Sequence, residues 1–204
     1  MVIFFALFCM AFLGLIEFLK RKYSIAPSTT RRIAHMGTAF IAFIAPWFLR
    51  FDELLFLGVL FSVLLFIARR QNILTSIHGV ERVTLGEVFL PAGVFLAALG
   101  MVFYGVREYQ FGILVMGLAD PFAGFVGERF GKHSIKIFGN KKSWEGSFAF
   151  FILTVALTYV FAREHGSQVL AIPVILTFVE LMLVYGLDNL VLPVLAAFLL
   201  KVLV

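Results

Sequence analysis

Apolar residues fall in eight runs along the chain, and polar and charged residues gather in the gaps between them. The first runs from Val2 to Phe18; the others cover roughly 36–49, 54–68, 88–104, 109–126, 146–162, 168–185 and 190–204. Long runs without periodic polar interruption predict helices that are apolar on every face, as lipid or a buried setting demands. Two of them, 54–68 and 190–204, hold about fifteen residues, or about 22 Å of helix, short of a ~30 Å hydrocarbon core. The pattern predicts an all-α, polytopic integral membrane protein with about seven to eight transmembrane helices. No internal repeat or low-complexity tract divides it, so one membrane-embedded domain is expected over 1–204. The first run lacks the basic flank and small-residue cleavage site of a secretory leader and reads as a span.

Composition sharpens this. Hydrophobic residues make up 62% of the 204 and charged residues 14%, with a mean hydropathy of +1.03. A soluble domain carries about 45–50% apolar and about 25% charged residues. The net charge of +5 comes with no basic patch interleaved with aromatics, so nucleic acid is not an expected partner. Topology accounts for the basic residues instead. If the spans alternate sides, the gaps 20–35, 69–87, 127–145 and 186–189 share one face. They hold all of the seventeen Lys and Arg residues except Arg50, Arg107, Arg163 and Lys201. The positive-inside rule puts that face in the cytoplasm, with the bilayer itself as a partner. The single cysteine, Cys9, excludes an internal disulfide, and the four scattered histidines offer no zinc site.

The stretch from Ala119 to Ser147 carries the densest chemistry, ADPFAGFVGERFGKHSIKIFGNKKSWEGS. On a helix, Asp120, Ala123, Gly124, Gly127 and Gly131 fall within one stripe about 100° wide, nearly bare backbone with a carboxylate at its inner end. A short basic loop follows, with Lys132, Lys136, Lys141 and Lys142, and Ser143 is placed to cap the next helix. A helix N-terminus beside paired lysines suits an anionic phosphate chain, and a nearby carboxylate suits Mg²⁺. Small residues four apart also serve close helix packing, so the glycines alone leave both readings open. Packing, however, does not call for the Lys-Lys-Ser-Trp-Glu-Gly segment that ends at Gly146. No Walker A loop and no nucleophile elbow occurs.

Other polar groups lie at the same predicted face. Pro27, Ser28, Thr29 and Thr30 announce a helix before Arg31, Arg32 and His35. Lys20, Arg21 and Lys22 read equally as a basic loop drawn to anionic headgroups. His35 reads equally as a hydrogen-bonded structural group or a proton carrier. Gly86 and Glu87 place a carboxylate at a helix start, where the dipole alone would favour it. Glu180, six residues before Gly186, is expected about 9 Å up its helix, where a lone carboxylate is costly. Asp188 and Asn189 follow at the interface, where a plain helix cap is the simpler reading.

The central stretch resembles the core of the CTP-dependent lipid kinases: dolichol kinase, phytol kinase and CTP-dependent diacylglycerol kinase. RRIAHMGT at 31–38, ERVTLGEVFLPAG at 81–93 and YGLDNLVLP at 185–193 are similar to the same family, so the likeness spans nearly the whole chain. It implies CTP as phosphate donor, Mg²⁺ as cofactor, and a membrane lipid alcohol as acceptor, of polyprenol, phytol or geranylgeraniol type, or diacylglycerol. It implies metal ligation by Asp120, with Asp188 as second candidate. Phosphates would meet Lys141, Lys142, Ser143 and Gly146, with the nucleotide approaching across Gly124, Gly127 and Gly131. Arg31, Arg32, Arg82 and Asn189 join as binding candidates, and Glu145 as a further ligand or acceptor. Asp120, Glu87 and Glu180 all stand open as the base. The phosphatidate cytidylyltransferases are a more distant likeness and the alternative reading. Their KRxxxxKD…HGGxxDR signature does not follow Glu145. A small transporter or scaffold is a third reading, against which the one-sided polar groups and the lack of a repeat both count.

Overall fold

The computed structural model describes residues 1–71, 73–74, 76, 85–137, 140–163 and 166–204. Among these, eight helices stand where the eight apolar runs lie. They are α1 (Val2–Tyr23), α2 (Pro27–Ile44), α3 (Phe51–Arg70), α4 (Gly86–Tyr104), α5 (Val106–Phe130), α6 (Trp144–Ala162), α7 (Ala171–Met182) and α8 (Asp188–Leu203). Local chemistry sets their ends. Lys20, Arg21 and Lys22 occupy the last turn of α1, which stops at Ser24 in the left-handed region. Pro27 opens α2 at a position where its missing N–H costs nothing. The backbone N–H of Arg50 donates to the Glu53 carboxylate at 2.9 Å, and Arg69 and Arg70 sit in the last turn of α3. That capping lengthens the short run 54–68 into a helix of 20 residues, long enough to span.

Among the described residues, five helices are long and apolar enough to cross a membrane: α1, α3, α4, α5 and α6. Length and hydropathy thus support five of the expected seven to eight spans. α2 carries Arg31, Arg32 and His35 in its first turns, α7 has 12 residues and α8 has 16. The outer surface is strongly apolar, with Phe4, Leu7, Phe40, Phe103, Val160 and Phe198 exposed, as lipid contact requires.

The helix α5 is the axis of the bundle. Tyr109, Phe111, Ile113 and Met116 on it are fully buried, and Tyr109 donates its hydroxyl to the Ala42 carbonyl at 3.1 Å. Halfway along, Val115–Ala119 widens to a π-helix before the chain resumes α-geometry at Asp120. This segment displaces one residue from the regular hydrogen-bond ladder, a feature frequent at functional sites. The Met116 carbonyl there accepts from Nε2 of His35 at 3.1 Å. α8 wedges against α4 and α5 where glycine is obligatory. A Cβ at Gly93 would lie 2.0 Å from the Asn189 carbonyl oxygen, and one at Gly112 would lie 2.1 Å from that of Pro193.

One expectation fails between α5 and α6. The basic loop is a two-stranded antiparallel hairpin, β1 (Ser134–Ile137) and β2 (Asn140–Ser143), with Ile135 opposite Lys142 and Lys136 opposite Lys141. Cross-strand pairing fixes the two lysines of β2 in an extended ribbon.

Candidate active site

Four separate stretches converge at one end of the bundle. The Leu85 N–H donates to the Tyr185 carbonyl at 3.1 Å, and the Asn189 side-chain amide donates to the Gly86 carbonyl at 2.7 Å. These bonds tie the start of α4 to the start of α8. The first turns of α2 face the second half of α5, where Nη2 of Arg32 meets the Glu128 carboxylate at 2.5 Å. The hairpin brings β2 over the same place.

Between them lies a two-lobed cleft, with lobes of about 360 and 320 Å³. Asp120, Gly124, Glu128, Lys141, Lys142 and Asp188 line both lobes. Gly127, Gly131, Ser134, Ser143, Gly146, Ser147 and Glu180 complete the first lobe, at the N-terminus of α6. Ser28, Arg31, Arg32, His35, Tyr185 and Asn189 help complete the second, between α2 and the turn before α8. The α6 terminus is built as the sequence predicts, with Ser143 Oγ accepting from the Gly146 N–H at 3.1 Å. The Trp144 N–H donates to the His133 carbonyl at 3.1 Å, so the anion-favouring feature of that lobe is the positive end of the helix dipole.

Charges of both signs meet in the cleft. Lys142 donates to the Glu180 carboxylate at 2.6 Å and also to the Glu180 backbone carbonyl. Glu180 therefore has its cation, as a buried carboxylate requires. It does not stand deep in its helix as expected. α7 ends at Met182, where Leu183 turns extended, so Glu180 occupies the last turn and reaches the hairpin. Its other oxygen, Oε2, is buried without a hydrogen-bond partner. Asp120 is half-buried and interacts electrostatically with Asp188, Glu180, Lys142 and Arg31. Adjacent like charges repel, and a divalent cation between them reverses the sign of that interaction.

No group of three or more His, Cys, Asp or Glu side chains among the described residues forms a ready metal cage. Mg²⁺ needs none: it takes one or two carboxylates and completes its shell with water and substrate phosphates. Asp120 and Asp188, facing both lobes beside an unpartnered Glu180 oxygen, fit that donor set.

Several expected groups act differently from the sequence reading. Gly127 and Gly131 are small because α6 is close: a Cβ would lie 2.8 Å from Ser143 Oγ at Gly127, and 2.9 Å from Ser143 Cβ at Gly131. Gly146 is packed against the Ala123 carbonyl in the same way, at 2.9 Å. Both readings of the glycine stripe hold together, since all three also line the first lobe. Gly124, with Arg32 across from it, is the more open position. Glu145 is not among the described residues lining the cleft. Its carboxylate accepts from the His133 backbone and ring at 3.2 and 2.8 Å, because the hairpin returns His133 beside the α6 start. Glu87 is buried and paired with Arg69 and lies outside both lobes. Arg82 lies outside the described residues.

Sequence reasoning missed Glu128, Ser147 and Ser28. Glu128 was findable, one turn beyond Gly124 on the same helical stripe.

Comparison with known proteins agrees with this geometry. The profile of the cytidylyltransferase family matches residues 1–200. A phytol kinase from Synechocystis sp. (strain PCC 6803) is 31% identical over 186 residues, covering 86% of this chain and 79% of the relative. No solved structure matches the chain. The family's name alone does not separate a kinase from a cytidylyltransferase, but the phytol kinase likeness covers 86% of the chain. The chain therefore belongs to the cytidylyltransferase family, among its CTP-dependent lipid kinases.

Proposed function

We propose that the cleft transfers the γ-phosphoryl group of CTP to the hydroxyl of a single-chain prenyl alcohol, at the cytoplasmic face of the membrane. One observation carries this reading. Two acidic groups suited to Mg²⁺, two lysines, and a capped helix N-terminus share one cleft with the two arginines of α2.

In such a transfer the alcohol oxygen bonds to the γ-phosphorus, the bond to the β–γ bridging oxygen breaks, and CDP leaves. Most of the rate comes from positioning and charge neutralisation. Lys141, Lys142 and the positive end of the α6 dipole hold the phosphate oxygens in the first lobe. Arg31 and Arg32 line the second lobe, where the acceptor's end meets the γ-phosphate. Asp120 and Asp188 would hold Mg²⁺, which supplies further neutralisation of the phosphate oxygens. The hydroxyl proton needs an acceptor as the new bond forms. Of the three candidate bases, Glu87 and Glu180 are each engaged by a cation, and Asp120 is the one that lines both lobes. Glu180 is then the group that aims Lys142.

Membrane vesicles of known sidedness test this reading. Inverted vesicles, cytoplasmic face outward, given Mg²⁺, a labelled alcohol and external nucleotide, are expected to form lipid monophosphate, with CTP outcompeting ATP, GTP and UTP. Product from right-side-out vesicles would put the cleft on the other face. ATP as the preferred donor would overturn the assignment of CTP.

A further inference from the structure

A second cavity lies between α1, α2, α3 and α4; its wall is mostly apolar, with Thr38 and the buried Glu87 among its polar groups. It adjoins the polar cleft: Arg31, His35 and Asn189 line both. Asn189 is 3% exposed, and its Oδ1 has no hydrogen-bond partner.

The cavity has a direction. Along α2 its wall runs from Arg31 at the cleft to Ala45, the residue that follows the helix, fourteen residue steps or about 21 Å. The neighbouring helices keep the same order. α3 passes from Leu65 near the cleft to Leu54, and α1, antiparallel to α2, passes from Leu13 to Phe5. A length of about 21 Å exceeds one leaflet of a bilayer, about 15 Å of hydrocarbon. The bore is narrow: the space open to the centre of a water molecule totals about 100 Å³. Spread over that length, it is room for about one hydrocarbon chain.

We propose that this cavity is the acceptor's chain-binding site and its length gauge. The alcohol's hydroxyl sits at the Arg31, His35 and Asn189 junction, its single chain runs between the four helices, and Ala42 and Ala45 set the floor. Diacylglycerol, with two chains, is excluded by the bore. This rests on the lipid-kinase reading of the cleft and deepens it.

Ala45→Phe and Ala42→Phe fill the cavity from its far end. Activity is to be measured on geraniol, farnesol, geranylgeraniol and diacylglycerol. Ala45→Phe is expected to lower kcat/KM for geranylgeraniol at least about tenfold, with geraniol changed less than about twofold. Ala42→Phe, one turn nearer the cleft, is expected to cost farnesol as well. Retained geraniol turnover shows that each variant is folded. Equal losses on every acceptor, or diacylglycerol used as well as geranylgeraniol, would overturn the proposal. A second readout uses the unaltered protein and needs no turnover: geranylgeraniol bearing a diazirine at its tail end. Its crosslink is expected on the segment from Ala42 to Leu57. A crosslink there without turnover would keep the chain site and overturn the kinase reading. Turnover with the crosslink elsewhere would keep the kinase and overturn the chain site. Failure of both would overturn both.

Discussion

Asp120→Asn is expected to lower lipid phosphorylation by at least about 10²–10³-fold while leaving the protein folded. The change is nearly isosteric and removes one charge from a group facing both lobes of the cleft. It also relieves repulsion, since Asp120 stands near Asp188 and Glu180. Without nucleotide and metal, the variant's thermal midpoint in detergent is therefore expected to equal or exceed that of the parent. Residues held against like charges are stabilised by ligand, not by the empty fold. Turnover and melting of both proteins, with and without Mg²⁺ and CTP, check this. Near-normal activity would remove Asp120 from the site. A large fall in stability would make it a structural residue.

Lys142 gives the second large effect, and it separates folding from chemistry. Lys142→Met leaves Glu180 buried with its partner removed, which costs about 3–5 kcal/mol. The double change Lys142→Met/Glu180→Leu removes both charges and is expected to recover most of that stability. Activity is expected to stay lost in both, because a phosphate ligand is missing. Melting and turnover across the four proteins of the cycle decide. Recovery of activity in the double variant would make Lys142 a structural partner of Glu180 alone.

Much of this was written in the sequence, for identifiable reasons. Eight apolar runs became eight helices because an apolar run bounded by Pro27, Arg50 or the Gly105 break has one way to satisfy its backbone in lipid. Ser143 caps α6 as its residue type and place require. What the sequence concealed was set by tertiary placement. The hairpin was readable in part, since SIKI alternates polar and apolar positions and is followed by Gly139-Asn140, but the run is only four residues long and β2 is too polar to read as a strand. The π-segment at Val115–Ala119 lies within a uniformly apolar run that carries no marker of period. Glu180 was misplaced because nothing in its run signals that α7 ends at Met182. The glycine stripe posed a choice between packing and ligand approach. Ser143 lies so close that packing accounts for Gly127 and Gly131, while Gly124 stays open to the cleft. Glu145 went to His133 for a reason visible only once the strands pair.

The central claim is a choice of phosphorus. A kinase and a cytidylyltransferase can hold CTP in the same cradle, so nucleotide binding does not distinguish them. A lipid alcohol attacking the γ-phosphorus yields a lipid monophosphate and CDP. A phosphatidate attacking the α-phosphorus yields a CDP-lipid and pyrophosphate. Membranes containing the protein are to be given Mg²⁺, geranylgeraniol and phosphatidate together, with CTP labelled at either the γ or the α position. Label is expected to enter lipid from the γ position only, as geranylgeranyl monophosphate; label entering lipid from the α position would contradict the account.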